Sequence, residues 1–235
     1  MKIEGSVALV TGANRGIGAE WVRQLRERGA VKVYAGDRGT NALPASDNVI
    51  PLALDVTDQA QVAAAAEQAR DVQIIINNAG VLFAQPLVGG DLSKIRDEFE
   101  VNVFGPINLA EAFASILRRN GGGAIVNALS AVSWFSFPNM AGYSAAKAAA
   151  WSLTDALRLE LESQGTLVVG LHSGPVNTSL GANFPLDKVD PEQVVTAAIN
   201  GLEADLSEVL VDEVSRAIKN TLTSEPSRYA AILNG

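Results

Sequence analysis

Short, nearly continuous apolar runs alternate along the chain with longer stretches in which apolar residues recur every few positions. Residues 6–10 (SVALV) form the first such run, the pattern of a strand covered on both faces. Residues 16–28 follow as a helix, with Ile17, Val22 and Leu25 on its buried side and Gly29 closing it. The same reading predicts further strands at 31–35, 49–54, 73–76, 124–129, 166–171 and 208–211. It predicts helices at 58–69, 93–118 and 142–163, and another beginning near Pro191. Strand and helix alternate to the end. Helices on both faces of a mostly parallel sheet of about seven strands, a doubly wound α/β fold, is the economical arrangement. No repeat, linker or composition break divides residues 1–235, so a single domain is expected. The segment 177–190, rich in Gly, Asn and Pro, reads as a mobile loop at the carboxyl edge of the sheet. The piece after Thr223 is too short to be a domain.

Composition narrows the function classes. Of the 235 residues 48% are hydrophobic and 19% charged, which supplies one large core and argues against a disordered chain. The 18 basic and 26 acidic residues give a net charge of −8, the wrong sign for a nucleic-acid binder. There is no cysteine, which removes disulfides, thiolate catalysis and cysteine metal sites. His172 is the one histidine and cannot supply a multi-histidine site, so no metal is expected. The apolar stretch at 7–10 is too short for a signal-peptide core, and no apolar run reaches the ~18 residues of a membrane helix. A cytoplasmic protein with no membrane partner is the expectation.

The first predicted strand runs into Thr11-Gly12-Ala13-Asn14-Arg15-Gly16-Ile17-Gly18, which opens the first helix. Glycines there let the backbone approach a pyrophosphate, and the helix N-terminus offers free amides and a partial positive charge. A glycine cluster alone also fits any tight strand-to-helix turn. The strand before it, the helix after it and Asp37 at the end of the second strand strengthen the dinucleotide reading. Asp37 stands twenty-five residues after Gly12, where a carboxylate accepts from both adenosine-ribose hydroxyls and repels a 2′-phosphate.

Tyr143 and Lys147 are four apart on a predicted helix, hence on one face. A free tyrosine, with a pKa of about 10, is a poor base at neutral pH; lowering it to about 7 takes ~4 kcal/mol. A nearby ammonium favours the phenolate. Ser130 ends the fifth predicted strand, faces the same crevice and can hydrogen-bond a substrate oxygen. By itself a Tyr-x-x-x-Lys pair also describes a solvated helix face.

The spacing Gly-x-x-x-Gly-x-Gly is one residue longer than the commonest dinucleotide fingerprint. With it the chain resembles the short-chain dehydrogenase/reductase family, whose pattern is Thr-Gly-x-x-x-Gly-x-Gly on a Rossmann fold. Asn77-Asn78-Ala79-Gly80 matches the family's sheet-stabilising motif, and Asp55, followed by Val56, falls where the family binds adenine. Tyr143-Ser144-Ala145-Ala146-Lys147 matches Tyr-x-x-x-Lys, with Ser130 thirteen positions earlier, and Asn102 matches the family's asparagine in the long helix. The resemblance spans essentially the whole chain. After the sixth strand Gly174, Val176 and Thr178 align with the turn that meets the nicotinamide, but Ser173 replaces the family's proline and leaves the rigidity of that turn open.

The resemblance implies an NAD(P)(H)-dependent alcohol dehydrogenase or carbonyl reductase acting by hydride transfer. Tyr143 would be the acid/base, Ser130 the oxygen holder and Lys147 the ribose ligand. Asn102 would hold a water linking Lys147 to solvent. Arg15 and Arg38 fall where NADP-preferring members place cations, so Asp37 tips the cofactor only toward NAD(H) and NADP(H) stays open. The family also implies a homodimer or homotetramer. Two other readings share the fold: a silent cofactor-binding regulatory or scaffold protein, and an epimerase or dehydratase. The intact Asn102, Ser130, Tyr143 and Lys147 set disfavours the first, and the lack of a large C-terminal substrate domain the second.

A neutral pocket wall is expected from Val81, Leu82, Phe83, Trp134, Phe135, Phe137, Pro138, Met140 and Leu180. Such a wall points to a neutral, hydrophobic ketone or secondary alcohol. The aromatic loop at 134–138 serves equally as a contact between subunits. His172 is expected as a partly buried structural histidine and Trp151 as packing or interface. Ser133 either assists at the site or caps a turn.

Overall fold

The computed structural model describes residues 1–39, 46–181 and 187–222. Its strands are β1 (Val7–Thr11), β2 (Lys32–Asp37), β3 (Val49–Ala53), β4 (Ile74–Asn77), β5 (Ala124–Ala128), β6 (Leu167–His172) and β7 (Glu208–Leu210). They form one sheet in the order β3-β2-β1-β4-β5-β6-β7, with every pairing parallel. Each lies within two residues of its predicted span.

Helices α1 (Gly16–Glu27) and α6 (Pro191–Glu203) cover one face. Helices α2 (Gln59–Gln68), α4 (Gly105–Arg119) and α5 (Ala141–Leu161) cover the other. Ala8, Val10, Ile74 and Ile76 point at Trp21, Leu25 and Ile199, while Leu9, Ile75 and Ile125 point at Leu109, Phe113 and Leu117. Each such aliphatic side chain gains about 1.5–3 kcal/mol by leaving water. Both faces need apolar residues, so the strands carry no polar alternation. Trp21 joins Val22 and Leu25 in the core, whereas Ile17 stays half-buried and lines a crevice.

The helix predicted at 93–118 is interrupted. Helix α3 (Leu92–Phe99) passes into a π-turn (Glu100–Phe104), in which the Gly105 N–H bonds to the Glu100 carbonyl five residues back. Asn102 sits in that turn, and its Nδ2 donates to the Glu98 carbonyl at 2.9 Å. The side chain thus occupies the carbonyl that an α-helical Asn102 N–H would take, which satisfies the wider turn. An unpredicted helix, α7 (Glu213–Asn220), follows β7.

The chain winds outward in opposite directions from β1 and β4, so a crevice opens at their carboxyl ends. The expected loop at 177–190 borders it. Residues 182–186 of that loop, and the piece after Thr223, lie outside the described residues. On the described flanks the Asn177 N–H donates to the Val189 carbonyl at 2.8 Å.

Candidate active site

The glycine segment joins β1 to α1 through two left-handed residues, Gly12 (φ +63°) and Gly16 (φ +53°), which favour glycine. At Gly18 a Cβ would come within 2.0 Å of the Gly12 carbonyl oxygen. Arg15 occupies the N-cap of α1 in extended conformation and makes no side-chain cap, so the first amides of α1 face the crevice uncapped. The Thr11 hydroxyl accepts the N–H groups of Asn78 and Ala79, both at 3.0 Å, and Asn78 Nδ2 donates to the Thr11 carbonyl at 2.9 Å. This tight backbone cradle at a helix N-terminus fits a pyrophosphate.

Asp37 closes β2, and its Oδ1 accepts the Gly39 N–H at 2.8 Å. Arg15 and Arg38 are exposed at the same edge. Asp55 Oδ1 accepts the N–H and hydroxyl of Thr57, at 2.9 and 2.8 Å.

Ser130 leaves β5 and caps a short 3₁₀ turn, Ala131–Ser133. Its Oγ accepts the Val132 N–H at 3.3 Å and donates to the Ser173 carbonyl at 3.4 Å. Ser133 Oγ accepts the Ser130 N–H, so Ser133 is a capping residue. Behind this turn His172 is fully buried, and its Nδ1 donates to the Ser130 carbonyl at 3.1 Å. Burial draws His172 down to about 4, leaving it neutral.

Tyr143 and Lys147 lie buried in the first turns of α5. Lys147 Nζ donates to the Ala128 carbonyl at 2.7 Å and stands 5.5 Å from the centre of the Tyr143 ring. Burial pushes the Tyr143 hydroxyl well above its ordinary range, and the negative charge of Glu98 adds to the rise. Burial also lowers Lys147 to about 8. The lysine engages the strand end, and burial together with the Glu98 charge favours the neutral phenol in this structure.

Asn102 reaches back to the loop after β4. Its Nδ2 donates to the Val81 carbonyl at 2.8 Å, and its Oδ1 accepts the Val81 N–H at 3.3 Å. A cavity of about 10 Å³, the space one water takes, is lined by Asn102, Lys147, Asn127 and Thr154 among others.

One cavity of about 660 Å³ runs from Asp37 and Asp55 past the glycine segment to Ser130, Tyr143 and Lys147. It ends among Val81, Leu82, Val132, Phe135, Phe137, Met140 and Leu180. Every residue expected to hold a cofactor lines it, including Asn14, Val56, Ala79, Gly80, Gly174, Val176 and Thr178.

Phe83, Trp134 and Pro138 do not line it, contrary to expectation, and Pro138 is exposed. Trp134 packs backward, its ring stacked on His172 at 4.1 Å and edge-on to Trp151 at 6.0 Å. Phe83 is held by its N–H, which donates to Glu98 Oε1 at 2.8 Å, with the Lys94 ammonium 4.7 Å from its ring centre.

Sequence reasoning missed three residues of consequence, Val214, Glu98 and Asp212, whose Oδ2 accepts the Gly174 N–H at 2.7 Å. Val214, from α7, adds to the cavity wall. Glu98 is buried beside the start of α5, where a Cβ on Gly142 would lie 2.2 Å from its Oε2. Burial raises its carboxyl above the ordinary range. The one signal for Glu98 was its place four residues before Asn102, on the same helix face.

A family model described as short chain dehydrogenase matches residues 6–188. A 3alpha-hydroxysteroid dehydrogenase of Mediterraneibacter gnavus is 28% identical, with 91% of this chain and 96% of that protein covered. A short chain dehydrogenase from Burkholderia cenocepacia, solved in complex with NADP, is 39% identical with a TM-score of 0.93 and 98% of each chain covered. A short chain dehydrogenase/reductase from Burkholderia phymatum, solved in complex with NAD, is 25% identical with a TM-score of 0.85, covering 98% and 96% of the two chains.

Proposed function

The chain belongs to the short-chain dehydrogenase family, and from that premise we propose that it interconverts a neutral, hydrophobic ketone and its secondary alcohol with NAD(P)(H). The observation that carries this reading is the single cavity joining the glycine cradle to Ser130, Tyr143 and Lys147 and ending in an apolar wall.

A bound nicotinamide dinucleotide supplies or accepts the hydride. In the reductive direction Tyr143, kept as a phenol by its burial, hands its proton to the carbonyl oxygen as that oxygen gains charge. The two hydrogen bonds of the Ser130 hydroxyl are long, at 3.3 and 3.4 Å, so it turns to the same oxygen at little cost. Lys147 has three donors. One is spent on Ala128, which leaves two for ribose hydroxyls and for a water beside Asn102.

Among the described residues no charged side chain stands at the substrate end. An unpaired carboxylate or phosphate buried there is strongly disfavoured. The hydroxysteroid dehydrogenase relative supports the same substrate class. Of the two dinucleotides NAD(H) is favoured, because the Gly39 N–H holds the Asp37 carboxylate at the end of β2. The test is a competition assay following oxidation of reduced cofactor. Aryl and alkyl ketones are expected to outcompete a phosphorylated sugar, and preference for the sugar overturns the substrate class.

A further inference from the structure

Ser173 stands where the family has proline, so no ring fixes the backbone at 173, and the proline of this turn comes two residues later, at Pro175. Hydrogen bonds tie the turn on two sides instead. The Ser173 carbonyl accepts the Ala131 N–H at 2.9 Å and the Ser130 hydroxyl at 3.4 Å. The Gly174 N–H donates to Asp212 Oδ2 at 2.7 Å, while Asp212 Oδ1 accepts the Ser215 N–H, also at 2.7 Å. One carboxylate, with a backbone N–H on each oxygen, thus joins the turn to the first residues of α7. The junction is closely packed: a Cβ on Gly174 would lie 3.2 Å from Asp212 Oδ2 and 3.3 Å from Val214 Cβ. Helix α7 is itself anchored, because Ile218 packs against Ala131 and Trp134 beside the Ser130 turn.

We propose that Asp212 is a positioning residue that holds the 173–178 turn against the dinucleotide, fixing by a charged hydrogen bond at Gly174 the start of the turn, where Ser173 supplies no ring. The inference rests on the cofactor reading above. Hydrogen bonds to a carboxylate are short and stronger than neutral ones. Fixing Gly174 sets the direction of the chain through Val176 to Thr178. Thr178 closes on the glycine segment, where a Cβ on Gly16 would meet Thr178 Cγ2 at 3.2 Å. A turn ordered before binding leaves less freedom to be lost on binding.

The test compares two variants of the full chain. Asp212→Ser keeps a side chain that caps α7 well but is too short to reach Gly174. Ser215→Ala removes the reciprocal half of the cap, in which Ser215 Oγ accepts the Asp212 N–H at 3.3 Å, and leaves the Gly174 bond in place. Melting temperatures are measured, and dissociation constants for NADH and NADPH are obtained by fluorescence titration. Asp212→Ser is expected to weaken dinucleotide binding about tenfold, the worth of one hydrogen bond to a charged group, and to melt earlier because the Gly174 N–H loses its partner. Ser215→Ala is expected to melt earlier and to bind within twofold of wild type. Wild-type affinity in Asp212→Ser, or equal weakening in Ser215→Ala, overturns the proposal. A wild-type protein that binds neither dinucleotide overturns the cofactor reading itself, and the proposal with it.

Discussion

Lys147 donates to the carbonyl of Ala128 at 2.7 Å, and through that bond the first turns of α5 are fastened to the end of β5. Tyr143 lies on α5, and Ser130 follows β5 by two residues. The lysine therefore holds the helix that carries Tyr143 against the strand end that leads to Ser130, apart from any contact with a ribose. A buried carbonyl that loses such a donor costs about 1–3 kcal/mol.

Tyr143→Phe and Lys147→Met separate these duties. Tyr143→Phe leaves ring packing intact and removes the proton donor. Turnover is expected to fall ~10²–10⁴-fold with cofactor affinity little changed. Activity above a tenth of wild type rejects the tyrosine mechanism. Lys147→Met is expected to reduce turnover, weaken the cofactor and lower the melting temperature together, because the Ala128 carbonyl loses its partner. Unchanged affinity by calorimetric titration counts against the dual role.

The fold was legible because both faces of the sheet are covered. Val7 to Val10 and Ile74 to Ile76 therefore need apolar residues at every position. The glycine cradle was legible because left-handed and crowded positions admit little but glycine. Orientation was not legible where composition is degenerate. Trp134 and Phe137 are both aromatic residues of one loop, yet Trp134 turns to His172 while Phe137 lines the cavity. Glu98 looks like a solvated helix residue until Gly142 is seen to make room for it. Helix α7 has only eight residues, too few for a periodic pattern to stand out, and its brace on Gly174 is a contact across 38 positions.

Glu98 and Tyr143 are coupled by charge. The charged groups facing Tyr143 are Glu98 from α3 and Lys147 from its own helix, and the carboxylate raises the phenol further above its ordinary range. Glu98→Gln keeps an acceptor for the Phe83 N–H and removes the charge. In alcohol oxidation Tyr143 must lose its proton, so the rise of kcat/KM with pH is expected to move to lower pH in the variant. A profile that coincides with wild type shows that the charge does not reach the phenol.

His172 makes folding stability sensitive to acid. Burial lowers it to about 4, with the Lys219 charge acting in the same direction, whereas in the unfolded chain it titrates near 6.5. Between these values the unfolded chain binds the proton and the native one does not. The contribution is fully present above about pH 6.5, falls as pH drops and is lost by about 4, a total on the order of 3 kcal/mol. His172→Gln retains a donor for the Ser130 carbonyl and does not titrate. Urea midpoints at pH 7 and pH 4.5 are expected to differ less in the variant than in wild type. An equal difference excludes His172 as the source.

A carboxylate, Asp37, and two arginines, Arg15 and Arg38, line one edge of the cavity. Asp37 is held by the Gly39 N–H at 2.8 Å, so turning it away from a 2′-phosphate breaks a hydrogen bond. At ~4 Å and an effective dielectric of about 20, two like charges repel by about 4 kcal/mol. Arg15 and Arg38 are exposed, and their attraction for a phosphate is screened by solvent. Of the similar solved structures, one holds NADP and another NAD. Wild-type protein is expected to have the higher kcat/KM with NADH. Asp37→Ala is expected to lose ribose hydrogen bonds and repulsion together, moving the NADPH-to-NADH ratio upward by at least tenfold. A wild-type preference for NADPH, or a ratio unmoved by Asp37→Ala, means that the arginines set the choice.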